Sequence, residues 1–320
     1  MSDTTPLLPR PVNSNPTQGD SHPITLRACH SPWRGINQAV LFLIRLIFSG
    51  YLSAVFGVSL KYKLESEDGH SRWRIPFQFS TVSFCLLWAY HLLVTLWTGM
   101  HLFVPRTIEE DPEDCHEHRM RTHIIRMLSP PSQANYHGRR FTFSMFYTIA
   151  HVFAFMNTII YWGVLVPSGH GGFRPPNLPH HGHHRGNETE TILYDPDKGL
   201  FEEDPIKSFS IINVWTITSL IGGIEIFFLN SIRRQTPVAA HTAGVMSLSG
   251  AYLAWAGIGK LLTGHAGLFF LDPKLMGDVP EATIAACIAF ISLSPGIFSY
   301  MYGLIAMRES MTAAHHDSSR

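Results

Sequence analysis

Charge is what this chain has least of. Asp, Glu, Lys and Arg make up 15% of its 320 residues, where a soluble domain carries roughly 25%. The 24 basic and 24 acidic residues cancel, so the one-signed field that draws a protein to nucleic acid is absent. Cysteine is scarce too. Cys29, Cys85, Cys115 and Cys287 show no CxxC spacing, which excludes a disulfide framework and a cysteine zinc site. No motif calls for a cofactor. What is present is oil: 45% apolar and 12% aromatic residues, gathered into long runs. The mean hydropathy of only +0.07 reflects charge concentrated between those runs. These are the marks of a membrane protein.

A spanning helix needs about 20 mainly apolar residues. Six stretches qualify, at about 37–60, 77–97, 141–166, 208–230, 238–259 and 282–307. The expected fold is therefore an all-α, polytopic bundle over residues 37–307. The first span begins too far along, and lacks the small-residue site, for a cleaved signal peptide. Lys and Arg outside the spans divide 13 to 10 in favour of the side holding both termini, which places those termini in the cytosol. Asn187-Glu188-Thr189 is a glycosylation sequon in the loop assigned to the opposite, lumenal side. An endomembrane location follows: endoplasmic reticulum, vacuole or plasma membrane.

Residues 1–36 are polar, Pro-rich and aperiodic, and read as a disordered cytosolic tail; residues 308–320 form a second tail. Within the first, Asp3-Thr4-Thr5-Pro6-Leu7-Leu8 is similar to an acidic dileucine sorting signal. The 167–207 loop carries His180-His181-Gly182-His183-His184 with His170 nearby. Gly and Pro around this run deny it the fixed ligand geometry of a metal centre, so no metal site is assigned. In the fifth span Ala243, Ser247 and Ala251 recur every four residues, as do Gly250 and Ala254. Such spacing lets helices approach closely in lipid and predicts a central position for this span.

Polar residues inside a membrane are costly and point to function. Thr81 lies one turn into the second span and needs a neighbouring base to act as a nucleophile. His151, about 15 Å into the third span, is the best placed base. His91 is ten residues past Thr81 on the same helix and cannot touch it, and His241 opens the fifth span. A haem pair of His91 and His151 is not supported, because membrane b-type cytochromes present more histidines at matched depth. Glu225, after Gly222-Gly223, costs at least about 2.5 kcal/mol if unpaired. It must be protonated, paired with Arg45 as the one intramembrane cation, or turned towards a wet cavity.

The stretch Trp73-Arg74-Ile75-Pro76-Phe77-Gln78-Phe79-Ser80-Thr81 resembles the Trp…Phe-Gln-x-x-Thr opening of the second span in the androgen-induced-protein family. Those are six-span membrane threonine hydrolases of fatty acid esters of hydroxy fatty acids. Tyr161-Trp162 at the end of the third span is similar as well. So is the stretch from Phe228-Leu229-Asn230-Ser231 through Gly250-Ala251-Tyr252-Leu253-Ala254-Trp255 to Thr263-Gly264 and Asp272-Pro273. The resemblance covers roughly 37–307 and implies that Thr81 is a nucleophile and the substrate an acyl-ester lipid. The family's second catalytic residue, a histidine in the fourth span, has no counterpart here. Residues 208–230 contain no histidine, and Thr218 or Ser219 stands in its place. A hydroxyl cannot take a proton near neutral pH as imidazole does. Either His151 serves as the base, with Ser80, Thr218 or Ser219 as polar support for an oxyanion, or the bundle is a non-catalytic transporter, lipid-binding or scaffold protein. The partners implied are membrane lipids; the sequence does not set an oligomeric state.

Overall fold

The computed structural model describes residues 24–33, 35–66, 71–103, 137–167, 205–272, 276 and 278–317. Asn187, the 180–184 histidine run, Cys115 and the dileucine-like segment lie outside the described residues. The described residues are predominantly helical and contain no strand. It runs α1 (Ile24–Ala28), α2 (Gln38–Ser66), α3 (Phe79–Phe103), α4 (His137–Ile160), α5 (Pro205–Ile212), α6 (Thr218–Ile224), α7 (Val238–Thr263) and α8 (Pro280–Asp317). Six stretches are long and apolar enough to cross a membrane: Gln38–Glu65, Phe79–Phe103, Arg140–Leu165, Pro205–Leu229, Val238–Thr263 and Pro280–Ala313. The protein is an all-α, multi-pass membrane bundle.

Two π turns shape the fourth span, Asn213–Ile217 between α5 and α6 and Glu225–Leu229 after α6. A π turn misaligns the helical ladder and frees carbonyls, which lipid cannot satisfy. Side-chain donors from neighbouring helices meet them. At the first turn Asn157 Nδ2 donates to the Val214 carbonyl at 3.0 Å and Thr158 donates to that of Trp215. At the second, which ends the span, every carbonyl from 226 to 229 is met. Arg308 reaches Ile226 (2.6 Å), Trp33 Nε1 reaches Phe227 (2.9 Å), Ser31 reaches Phe228 (2.7 Å) and Arg45 reaches Leu229 (2.8 Å). The segment around α1 is thus held against this end of the bundle, with Thr25, Arg27, Ala28, Cys29, His30 and Ser31 all buried.

The third span, not the fifth, occupies the centre. α4 packs on α3, α6, α7 and α8, and its Tyr147, Thr148, Ala150, His151, Val152 and Met156 are fully enclosed. α7 instead buries His241, Val245, Ser249, Tyr252, Ala256 and Gly259. Its expected packing stripe of Ala243, Ser247, Ala251 and Ala254 is exposed on the outer surface. Lipid tails are as apolar as alanine, so leaving small residues there costs little, and periodicity alone cannot say which stripe faces protein.

The start of α3 is fixed by aromatics. The Phe79 ring meets Phe153, Tyr252 and Phe290 at 4.9–5.2 Å. Before it lies a 3₁₀ segment, Ser71–Phe77. Tyr252 donates to the Phe77 carbonyl (2.9 Å) and Trp255 Nε1 to that of Pro76 (3.1 Å). α7 ends at Gly264, whose φ of +74° closes the helix in the left-handed region. Gly267 then passes so close that a Cβ there would collide with the Phe77 carbonyl oxygen.

Candidate functional site

Thr81 sits in the first turn of α3. A threonine in a membrane helix usually returns its hydroxyl to its own i−4 carbonyl. Here that carbonyl belongs to Phe77 and accepts from Tyr252 instead. The Thr81 hydroxyl meets a lysine. Lys63 Nζ, in the last turn of α2, lies 3.0 Å from Thr81 Oγ1, 2.6 Å from Gln78 Oε1 and 3.5 Å from Ser80 Oγ. Gln78 and Thr81, three residues apart at the helix start, face the same way and clamp the ammonium between them. These groups edge a small cavity of about 30 Å³, walled by Phe56, Leu60, Ile75, Phe84 and Val214. A space of that size accepts one or two waters, not an acyl chain.

This arrangement has the parts of a hydroxyl–amine dyad with an orienting third group, the Ser–Lys variant of the hydrolase triad. Lys63 was not among the sequence candidates because it lies just past the apolar run of the first span. The signal was present in the topology. In an antiparallel hairpin the last turn of one helix meets the first turn of the next, so a lysine ending α2 stands level with Thr81.

His151 is elsewhere. Its ring lies 4.9 Å from that of Tyr90, and Tyr90 is nine residues, roughly 13 Å, down α3 from Thr81. Its Nδ1 lies 2.8 Å from the Tyr147 carbonyl. The proposed pairing of His151 with Thr81 therefore does not form, because linear spacing sets depth and the two residues sit at different depths. Ser80 does join Thr81. Thr218 and Ser219 do not: Thr218 bonds back to the Val214 carbonyl (2.9 Å), and Ser219 bonds the Ala154 carbonyl (2.8 Å) and the Thr158 hydroxyl. Ser219 knits the fourth span to the third, while the Thr218 bond stays within the fourth span. His241 is satisfied within the packing, with Nδ1 on the Pro237 carbonyl (3.0 Å) and Nε2 on Ser144 Oγ (2.8 Å).

Glu225 is paired. Arg45 Nη2 lies 2.7 Å from its Oε1, with both side chains completely buried, and Tyr90 donates to the same oxygen at 3.1 Å. Arg45 also donates to Thr98 Oγ1 (2.6 Å) and to the Leu229 carbonyl. A second buried cation was missed: Arg308, 1% exposed, which reads in sequence as a flanking charge of the last span. No family model, curated protein or solved structure matches this chain. Its function must be argued from these side chains. Among the described residues no three His, Cys, Asp or Glu side chains are grouped to hold a metal.

Proposed function

We propose that the protein is a membrane-embedded hydrolase of lipid acyl esters, with Thr81 as nucleophile, Lys63 as general base and Gln78 as the residue that orients the base. The observation that carries the reading is the amine 3.0 Å from the threonine hydroxyl and 2.6 Å from Gln78. The similarity of the Trp73–Thr81 stretch to the androgen-induced-protein family supports it independently. It also supplies what that resemblance lacked, a base.

The chemistry runs as acyl transfer. The Lys63 ammonium first gives up a proton to water; the resulting amine takes the Thr81 proton as Oγ1 attacks the ester carbonyl, whose electron pair moves to oxygen, and Ser80 stands where it can donate to that oxyanion. Collapse breaks the ester C–O bond, and the leaving alkoxide takes the proton from Lys63. Water then attacks the acyl-threonine with Lys63 again as base, releasing the fatty acid and restoring Thr81. The small cavity receives the carbonyl, while the acyl chain lies along the lipid-facing side of α2 and α3. The Thr81 end of the bundle is where the third span ends and the fourth begins, so glycosylation of Asn187, between them in sequence, would make this a lumenal site of an endomembrane protein.

A second reading, a non-catalytic transporter or binding protein on the same bundle, is favoured by the buried polar groups around Tyr90. Labelling with a fluorophosphonate separates the two. The wild type labels, Thr81→Ala does not, Lys63→Met labels about 10²–10⁴ times more slowly, and His151→Gln labels normally. A well-folded wild type that stays unlabelled sinks the hydrolase, and equal labelling of Lys63→Met sinks the assigned base.

A further inference from the structure

Hydrolysis at Thr81 needs a water in surroundings where hydrocarbon supplies none. With the acyl chain along the lipid-facing side of α2 and α3, that water reaches the acyl carbon from within the bundle. The route is the cavity of about 30 Å³ beside Thr81. Ser59 lies four residues before Lys63 on the same face of α2, and Phe84 three residues after Thr81 on the same face of α3. Both line the cavity and stand one turn further from the helix ends than the dyad. The Phe56 and Phe84 rings in its wall stack at 6.1 Å, and the space between these groups accepts one or two waters.

An enclosed water needs at least two polar partners. Among the described lining residues, four side chains carry a polar atom: Ser59, Lys63, Ser80 and Thr81. In the acyl-protein the Thr81 oxygen is esterified, Ser80 faces the carbonyl oxygen and Lys63 is the base. The Val214 carbonyl already accepts twice, from Asn157 Nδ2 (3.0 Å) and from Thr218 Oγ1 (2.9 Å). Ser59 is what remains. It is 6% exposed, and its hydroxyl donates across to Ser210 Oγ on α5 at 3.3 Å. A serine that spends its proton on a neighbour keeps lone pairs with which to accept another.

We propose that Ser59 holds the hydrolytic water of this site, a role that rests on Thr81 being the nucleophile. The water lies between the Lys63 amine and Ser59 Oγ. One of its protons passes to Lys63 Nζ as its oxygen bonds to the acyl carbon, while Ser59 accepts a hydrogen bond from the other. The carbonyl electron pair moves to oxygen, towards Ser80, and returns as the bond between the acyl carbon and Thr81 Oγ1 breaks. Thr81 takes the proton from Lys63, and the fatty acid departs. In the first half of the reaction the Thr81 hydroxyl is the attacking group, so acylation makes no use of Ser59.

The two halves are timed separately. Protein in lipid nanodiscs is mixed with an equal amount of p-nitrophenyl octanoate and quenched in acid at intervals. Nitrophenol release times acylation, and the mass of octanoyl-Thr81 times its hydrolysis. In Ser59→Ala, which keeps α2 because alanine is the better helix former, acylation and fluorophosphonate labelling are expected to match the wild type. Hydrolysis of octanoyl-Thr81 is expected to slow about tenfold or more, the loss of one hydrogen bond to the attacking water. Hydroxylamine, a nucleophile large enough to fill the space of the deleted hydroxyl, is expected to clear the acyl group from the variant and remove the difference. Octanoyl-Thr81 that clears from Ser59→Ala as fast as from the wild type overturns the proposal. So does acylation slowed in the same proportion as hydrolysis, or an acyl group that hydroxylamine clears no faster than water, since either marks Ser59 as packing. In all three cases normal labelling of the wild type leaves the hydrolase standing, whereas a wild type that neither labels nor acylates overturns both.

Discussion

Replacing Glu225 by Leu takes from Arg45 its only acidic partner among the described residues while leaving the guanidinium fully buried. Removing one member of a buried ion pair costs about 3–5 kcal/mol, most of it the penalty of the charge left behind. Arg45→Met strands the carboxylate and should cost a similar amount. The double variant strands neither charge. Thr98 keeps its bond to the Val94 carbonyl (2.6 Å), so the groups left short are the Leu229 carbonyl and the Tyr90 hydroxyl, together worth about 2–4 kcal/mol. The cycle should therefore close with a coupling of at least about 2 kcal/mol. Reversible unfolding in mixed micelles, titrated with dodecyl sulfate, measures all four proteins. A double variant whose loss equals the sum of the singles would show that Arg45 and Glu225 do not neutralise one another, and would refute the account of the core.

Gly267→Ala should drive the Phe77 carbonyl away and displace the 3₁₀ segment that presents Gln78 and Thr81. The expected cost is about 1–3 kcal/mol with slower labelling of an unaltered Thr81, and normal labelling would contradict it. Ala251→Leu, on the outer face of α7, should change stability by no more than about 0.5 kcal/mol. Ser249→Leu, two residues away and completely buried, should cost about 1–3 kcal/mol, and the reverse order would return the small stripe to the interior. Burial pushes the Cys29 thiol up to about 12, a shift that Arg45 offsets in part and Glu225 reinforces. Because the shift is upward, the thiolate forms only far above neutral pH, and at pH 8 only about one thiol in 10⁴ is ionised. Maleimide at pH 8 should therefore modify folded Cys29 at least about 10³ times more slowly than the unfolded chain; equal rates would place it at the surface.

The composition and run lengths of this sequence determine that it crosses a membrane as an all-α bundle of six spans, because hydrocarbon admits no unsatisfied backbone and length is counted along the chain. They also determine that Glu225 must be compensated, and Arg45 was its one visible candidate. Rotation and register were out of reach of spacing. Thr81, one turn into the second span, and His151, about ten residues into the antiparallel third, differ in depth already in a linear count, but which side chains each would face instead did not follow from spacing. Lys63 and Arg308 looked like flanking charges until the hairpin and the last helix carried them inward. The small residues of α7 satisfied a packing pattern that the outer surface satisfies equally well, since lipid and protein interior look alike to alanine. The two π turns leave no mark in a hydrophobic pattern. They exist because donors arriving from Asn157, Thr158, Arg45, Arg308, Ser31 and Trp33 meet the carbonyls they free, and those donors converge only once the helices have packed.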